Sequence, residues 1–326
     1  MNDAPFYADV ADAPEDTHAY WVQADDGLRL RVSHSPVAEA RGSVLIFPGR
    51  TEYVEKYGFA AQALAARGFA SMTIDWRGQG LSDRLLADPM PGHVAQFSDY
   101  QRDVRAMVAA AKALDLTRPW HLLAHSMGGC IGLRALFNGL DVASTSFTGP
   151  MWGIRISEFL RPVAWSLSWS SRWLGLGHKH PPGAQAECYV RTEPFETNKL
   201  TNDADMYRAM TEQVTRYPAL ALGGPSMLWL NEALRECRDL SRLPSPDVPC
   251  LTIAGTDEDI VDLGRLTNRM SRWPGGHLEW VPGGQHEVLM DTPATRTRIF
   301  DMLAAFYADP DSIRAIPSAP TARQAG

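Results

Sequence analysis

A serine at a predicted sharp turn is the group in this sequence whose setting best suggests covalent chemistry. Residues 122–124 are apolar, His125 and Ser126 follow, and Gly128 and Gly129 precede another apolar run. This order predicts a strand, a tight turn with Ser126 at its apex, and a helix. Because such a turn exposes the central hydroxyl and requires small neighbours, Ser126 is a candidate nucleophile. The usual pattern is G-x-S-x-G; here Ala124 replaces the first glycine and Gly128 is retained.

A serine hydroxyl at neutral pH needs a neighbouring base, and the sequence offers nine histidines. His286 lies in the glycine-rich segment 282–287, between the last predicted strand and the last predicted helix. Since open α/β sheets collect their active sites at the carboxyl ends of the strands, we predict His286 as the base. His125 adjoins Ser126, but consecutive side chains on a sharp turn point apart. The histidines expected to be solvated are His18, His34, His178 and His180.

The third member of such a site is a carboxylate that orients the imidazole and stabilises its charged form. Residues 255–262 follow a predicted strand and contain four acidic side chains. The chain order serine, acid, histidine is the one expected for this fold class. Asp262 fits better as the N-cap of the next helix, whereas Asp257, Glu258 and Asp259 remain open on chemical grounds.

Composition predicts an ordinary globular protein without a nucleic-acid partner. The 326 residues are 45% hydrophobic and 21% charged, and the formal net charge is -7. The four cysteines have no metal-like spacing and are expected to be reduced structural thiols. The N-terminus shows no secretory pattern, and no apolar run approaches the ~20 residues of a spanning helix. We therefore expect a cytoplasmic protein that needs no metal or cofactor and can contact the inner face of the membrane.

Strands and helices alternate along most of the chain. A hairpin around Gly27 comes first, because Asp25-Asp26-Gly27 separates two stretches of alternating polarity. Further strands are predicted at 43–47, 70–74, 120–124, 144–147, 249–254 and 277–281, and the apolar runs at 43–47 and 70–74 predict that the first two are buried. Helical patterns occupy 54–66, 98–114, 129–138, 263–272 and 293–307, the second with Ser98 as N-cap. Together they predict an α/β fold, a mostly parallel sheet with helices on both faces.

The alternation stops between residues 150 and 246, where helical and loop patterns are rich in tryptophan. We predict a core formed by residues 1–149 and 247–308, an inserted helical cap at 150–246, and a disordered tail at 309–326.

Four motifs together resemble the α/β-hydrolase group of lysophospholipases and monoacylglycerol lipases, and within it the bacterial lysophospholipase L2 type. They are P-G-R-T-E-Y at 48–53, D-W-R-G-Q-G-L-S at 75–82, A-H-S-M-G-G at 124–129 and G-G-Q-H-E at 283–287. N-K-L-T at 198–201 and L-G-G-P-S-M-L-W at 222–229 extend the resemblance into the cap. The resemblance places the acid three residues after the glycine that ends its strand, which is Glu258. Related lipases commonly have aspartate there and His-Gly at 48–49, so Asp257 and Asp259 stay as alternatives.

The resemblance implies a serine hydrolase that cleaves the carboxylic ester of a single-chain lipid through an acyl-serine. Lysophospholipid is the first expected substrate; monoacylglycerol lipase or general carboxylesterase activity is the alternative. The backbone N–H groups of Arg50 and Met127 are predicted to form the oxyanion hole. The Arg50 side chain is expected to be a surface cation or, as the weaker alternative, a contact to a head group. Residues 75–82 are expected to brace the site without direct chemistry.

The cap is expected to determine which substrate reaches the serine. Trp152, Phe159 and Trp229 are predicted to contact the lipid, and the tryptophan-rich stretch near residues 151–173 is predicted either to pack on the core or to meet a lipid surface. Two further functions are compatible with the fold. A proline iminopeptidase-like peptidase would require a carboxylate cage for the free amine, and a non-catalytic binding protein would not require Ser126, Glu258 and His286 together.

Overall fold

The computed structural model describes residues 1–157, 159 and 161–312. In this part of the chain one sheet contains nine strands, in the spatial order β1-β2-β3-β5-β4-β6-β7-β8-β9. The strands are β1 (Asn2–Asp3), β2 (His18–Gln23), β3 (Arg29–Ser35), β4 (Ser43–Phe47), β5 (Ala70–Asp75), β6 (Trp120–His125), β7 (Ser144–Thr148), β8 (Cys250–Gly255) and β9 (Gly276–Val281). The pairs from β1 to β3 and β3 with β5 are antiparallel, and all other pairs are parallel. The predicted fold class, the hairpin and the six predicted strands are therefore confirmed.

The helices follow the predicted order, with differences at their starts. They are α1 (Ala8–Ala11), α2 (Gly58–Ala65), α3 (Tyr100–Ala113), α4 (Met127–Phe137), α5 (Arg161–Trp173), α6 (Tyr189–Thr192), α7 (Ala204–Arg216), α8 (Met227–Ser241), α9 (Leu263–Met270) and α10 (Pro293–Ala308). Short 3₁₀ turns precede α2 at Val54–Tyr57 and α3 at Phe97–Asp99.

Of the two predicted N-caps, the structure confirms one and contradicts the other. Ser98 as an N-cap is wrong, because a reciprocal capping box between Gln96 and Asp99 starts the segment and places Ser98 inside the 3₁₀ turn. The N-cap prediction for Asp262 is confirmed, since its carboxylate accepts the backbone N–H of Arg265.

Successive side chains of the parallel strands point alternately into two hydrophobic cores, one on each face of the sheet. Leu45, Phe47 and Leu122 pack with α3, α4 and α9 on one face, whereas Val44 and Ile46 pack with α2 and α10 on the other. A sheet buried on both faces explains why these strands are continuous apolar runs in the sequence. The carboxyl ends of β4, β6, β7, β8 and β9 consequently meet at one edge of the sheet, where the loops that carry the candidate site residues begin.

Helices α5 to α8 all lie between β7 and β8, in the region where the cap is predicted. The described part of residues 150–246 contains no strand, only isolated bridges from Ile154 to Val261 and from Pro225 to Gly92. The four cysteines are free and buried, as expected. No helix of the described residues is long and apolar enough to cross a membrane. The predicted tail begins at Asp309, and its residues 313–326 lie outside the described part of the chain.

Candidate active site

Ser126 occupies a strained turn between β6 and α4. Its φ of 49° and ψ of -117° are unusual for a residue with a side chain, and α4 starts at the next residue, two residues earlier than predicted. Gly128 permits this geometry, because a Cβ there would lie 2.0 Å from the carbonyl oxygen of Phe47. A Cβ at Gly132 would lie 3.3 Å from the Cβ of Ala124. The absence of a side chain at residue 132 thus leaves room for the alanine that replaces the first glycine of the motif.

His286 connects Ser126 to a carboxylate. Its Nε2 lies 2.9 Å from Ser126 Oγ, and its Nδ1 lies 2.6 Å from Glu258 Oε2. The backbone N–H groups of Ile260 and Val261 donate to the other oxygen of Glu258, at 2.6 and 3.1 Å. Burial alone would raise the pKa of Glu258, but the hydrogen bond and charge of His286, with these two N–H groups, outweigh burial and lower the pKa. Glu258 is therefore held as the anion that an imidazolium requires.

The two aspartates beside Glu258 point elsewhere. Asp257 is exposed, and Asp259 forms ion pairs with Lys199 and Arg155 near the surface. Among the three acidic candidates, the structure brings only Glu258 to His286.

Glycines allow the loops that follow β7, β8 and β9 to approach one another. Gly149 has a left-handed φ of 46°, and a Cβ at this position would lie 3.1 Å from His286 Nδ1 and 3.2 Å from Glu258 Oε2. At Gly255 a Cβ would lie 1.9 Å from the carbonyl oxygen of Gly284. The loop that carries the acid and the loop that carries the histidine thus pack backbone to backbone.

The backbone N–H groups of Arg50 and Met127 are available to an oxyanion. Met127 is the first residue of α4, whose initial N–H groups have no partner within the helix. Neither N–H donates to another group in the described chain. The close approach of Gly128 to Phe47 and Pro48 brings the start of α4 beside the turn that contains Arg50. Two N–H donors beside a serine are the elements that stabilise a tetrahedral intermediate.

Residues 75–82 hold the Arg50 turn in place, as predicted. The indole N–H of Trp76 donates to the carbonyl of Pro48 at 2.8 Å, and the amide of Gln79 donates to the carbonyl of Gly49 at the same distance. Asp75 accepts the N–H groups of Val54 and Leu81 and pairs with buried Arg31. No residue of this loop lines the cavity at Ser126.

A buried ionic cluster behind the serine turn was missed in the sequence. Lys56 Nζ lies 2.6 Å from Glu52 Oε1 and 2.6 Å from Glu287 Oε1. The second oxygen of Glu52 accepts the Tyr57 hydroxyl at 2.7 Å and also the backbone N–H of Gly49. Glu52 thereby ties the cluster to the turn that presents the Arg50 N–H. The only sequence signal was the i, i+4 spacing of Glu52 and Lys56, which is common on exposed helices.

His125 belongs to this cluster and turns away from Ser126, as expected. Its Nδ1 lies 3.0 Å from Thr148 Oγ1, and its Nε2 lies 3.4 Å from Glu287 Oε1. Burial would lower the pKa of His125, but Glu287 and Glu52 outweigh burial and raise it. In the described chain, His125 and the two glutamates are the one group whose donor atoms are spaced to hold a metal ion. Lys56 already supplies the cation between the two carboxylates.

A cavity of about 360 Å³ opens at Ser126 and His286. Most of its wall is apolar, and the apolar side chains come from both the core and the region between β7 and β8. They are Met151, Ile154, Val190, Leu200, Met210, Val214, Trp229, Leu230, Ile260 and Val261. Such a chamber fits a hydrocarbon chain better than a polar ligand.

The three predicted substrate contacts have different positions. Trp229 lines the cavity, and its indole N–H donates to the Tyr100 hydroxyl at 3.1 Å. Trp152 does not reach the cavity, because it packs into the core against Phe147 and Trp273. Phe159 is 93% exposed and also lies outside the cavity. The structure therefore contradicts a cavity contact for Trp152 and Phe159.

The fold and the site define an ester hydrolase of the α/β-hydrolase class. The chain belongs to the serine aminopeptidase S33 family, whose profile matches residues 38–293. It is 30% identical over 307 residues to lysophospholipase L2 of Escherichia coli, with 88% of each chain covered. It is 32% identical over 261 residues to monoacylglycerol lipase of Mycolicibacterium smegmatis, with 78% of this chain and 84% of the relative covered. The resemblance seen in the sequence motifs is confirmed.

Solved structures show the same fold. A soluble variant of monoglyceride lipase from Saccharomyces cerevisiae, solved with a substrate analogue, superposes with a TM-score of 0.67. The superposition covers 89% of this chain and 94% of that chain, at 20% identity.

Proposed function

We propose that this protein hydrolyses the carboxylic ester of a single-chain lipid, with lysophospholipid as the first substrate and monoacylglycerol as the second. The observation that carries the proposal is the hydrogen-bonded series Ser126, His286, Glu258 at the end of a largely apolar cavity. The relatives named lysophospholipase L2 and monoacylglycerol lipase support the substrate class. The helical region at 150–246 acts in this proposal as the cap that encloses the acyl chain.

The proposed mechanism is acyl transfer to Ser126 followed by hydrolysis, with His286 carrying the proton in both halves. His286 takes the proton of the Ser126 hydroxyl as its oxygen attacks the ester carbonyl, and Glu258 stabilises the imidazolium. The N–H groups of Arg50 and Met127 donate to the oxyanion. His286 then gives its proton to the leaving alcohol, and an acyl-serine remains. Water, deprotonated by His286, attacks the acyl carbon; when the tetrahedral intermediate collapses, Ser126 regains a proton and the fatty acid leaves.

The charges in the cavity argue against a peptidase that binds a free N-terminal amine. Such an enzyme needs a carboxylate that is free to pair with the ammonium. The carboxylates among the described lining residues are Glu52 and Glu287, and Lys56 already bridges both. Arg50 also lines the cavity, and its positive charge would repel an ammonium.

A panel of three substrates tests the proposal. We expect fatty acid release from lysophosphatidylcholine and from monoacylglycerol of the same acyl chain, and no cleavage of a prolyl arylamide. The measurement is titration of released fatty acid or arylamine under equal conditions. Cleavage of the arylamide without fatty acid release from either lipid would contradict the proposal.

We also propose that the face around α5 contacts a lipid surface, and that the protein acts at the cytoplasmic side of a membrane. Large apolar side chains are exposed there: Phe159 at 93%, Trp169 at 59%, Trp173 at 75% and Leu174 at 67%. Exposed aromatic side chains on an amphipathic helix favour the interfacial region of a bilayer, where the substrate resides. The four free thiols support a reducing compartment.

Removal of two indoles tests this contact. The double variant Trp169→Ser with Trp173→Ser should lower binding to phosphatidylglycerol-containing vesicles by about tenfold, since two partly buried indoles contribute ~1–2 kcal/mol together. Co-sedimentation with vesicles measures the bound fraction. Trp21→Ser is the matched control, because it removes an indole from strand β2, away from α5. This variant should bind like the wild type. Equal binding by the double variant and the wild type would refute the contact.

A further inference from the structure

Arg50 differs from the other cations that line the main cavity. Lys56 bridges two glutamates, and Lys199 pairs with Asp259 at 2.6 Å. No carboxylate of the described chain forms an ion pair with Arg50. Glu52, the acidic residue nearest to it in the sequence, pairs with Lys56 and His125 instead. Arg50 therefore brings the cavity a positive charge that the protein itself does not neutralise.

Most donors of the Arg50 guanidinium are unused. Its Nη1 donates to the carbonyl of Gly223 at 2.9 Å, and the group lies 5.7 Å from the ring centre of Trp229. Its Nε and Nη2 donate to no described residue. Arg84 also lacks a carboxylate partner at close range, but its guanidinium donors are used. They donate to five backbone carbonyls, those of Gly78, Pro89, Gly80, Ala219 and Ala221. Arg50 thus has hydrogen-bond donors available to a ligand, and an arginine fork suits a phosphate.

The position of Arg50 matches the path of a leaving head group. Its backbone N–H is the predicted oxyanion donor, while its side chain extends towards Gly223 and towards a second, outer cavity of about 230 Å³. Arg50, Thr51 and Tyr189 line both cavities. Glu187 lies on the outer cavity but forms no ion pair with Arg50. An ester held at Ser126, with its acyl chain in the apolar cavity, would direct its glycerol and head group along this side chain.

We propose that the Arg50 guanidinium binds the phosphate of a lysophospholipid and thereby makes the enzyme prefer lysophospholipid to monoacylglycerol. The inference rests on the proposed function, because it assumes that an acyl ester occupies Ser126. Partial burial strengthens the attraction, since the guanidinium is screened from water while the phosphate oxygens complete its hydrogen bonds. Monoacylglycerol has only hydroxyl groups at the same place and cannot form the charged pair.

The test compares two substrates with the same acyl chain in the same enzyme variants. The measured quantity is the ratio of kcat/KM for lysophosphatidylcholine to kcat/KM for monoacylglycerol, in which any effect common to both substrates cancels. Arg50→Met should lower this ratio by about 10- to 100-fold. Arg50→Lys keeps the charge but loses the planar fork, and we expect a fall of about 3- to 10-fold. Lys199→Met, which removes a paired cation from the same cavity, should change the ratio by less than about twofold.

The outcomes separate this inference from the function on which it rests. If the wild type cleaves both lipids and the ratio is unchanged in Arg50→Met and Arg50→Lys, the phosphate contact is refuted and the lipid hydrolase stands. If Arg50→Met does not fold, an unchanged ratio in Arg50→Lys alone refutes the contact. If Lys199→Met lowers the ratio and the Arg50 variants do not, the phosphate binds elsewhere. If the wild type cleaves neither lipid, both proposals are refuted.

Discussion

Ser126→Ala and Glu258→Gln should each lower kcat on lysophosphatidylcholine by at least about 10³-fold, with the serine variant at the larger end of the range. The serine variant removes the attacking oxygen. Glu258→Gln keeps the shape of the side chain, but an amide cannot stabilise the imidazolium that His286 becomes during attack. The lowered pKa of Glu258 keeps this carboxyl ionised at neutral pH, so the loss should be present throughout the neutral range.

The neighbouring aspartates are the matched controls. Asp257→Asn and Asp259→Asn each remove a negative charge next to Glu258 in the sequence. Both aspartate side chains are directed away from His286. Each should retain turnover within about twofold of the wild type. If one of these two variants loses turnover and Glu258→Gln does not, the assignment of the acid is wrong.

Lys56→Met should lower the free energy of unfolding by about 3–5 kcal/mol at pH 8, because it leaves Glu52 and Glu287 buried without their cation. Chemical denaturation gives this value. Lys112→Met, which removes an exposed lysine from α3, is the control and should stay within ~0.5 kcal/mol of the wild type.

The loss in Lys56→Met should become smaller as the pH falls. In the wild type, burial would raise the pKa of Glu287, but His125 and Lys56 outweigh burial and lower it strongly. A lowered pKa contributes stability above the unfolded value, which is lost as the pH falls through the folded value. Without the ammonium we expect the folded pKa of Glu287 to rise, so the variant should gain stability relative to the wild type between pH 8 and pH 5. A pH-independent difference would contradict this account of the cluster.

The sequence predicted the site where local pattern and topology agreed. Ser126 was predictable because the sharp turn around it requires small residues at the neighbouring positions. His286 was predictable because its loop follows the last strand of a parallel sheet. The choice of Glu258 over its neighbours depended on the family resemblance. Three adjacent acidic residues have the same chemistry, and only the path of the loop decides which of them faces the histidine.

Properties that depend on distant contacts were not predictable. Glu52 and Lys56 resemble an exposed helical pair, and nothing local shows that Glu287 and His125, far along the chain, bury them. Trp152 and Phe159 share an apolar stretch, but one packs into the core and the other is exposed to solvent. Apolar periodicity predicts which face of a helix is apolar, but it does not predict which surface this face contacts. The same limitation applied to Arg50, whose neighbours come from the core and the inserted region.

Covalent labelling of Ser126 tests the central claim most directly. The folded protein is incubated with a fluorophosphonate, its intact mass is measured, and the modified peptide is sequenced. The predicted result is a single adduct on Ser126, absent from Ser126→Ala, together with fatty acid release from lysophosphatidylcholine by the unlabelled wild type only. A folded wild type that takes up no label, or a Ser126→Ala variant that still releases fatty acid at the wild-type rate, would contradict the claim.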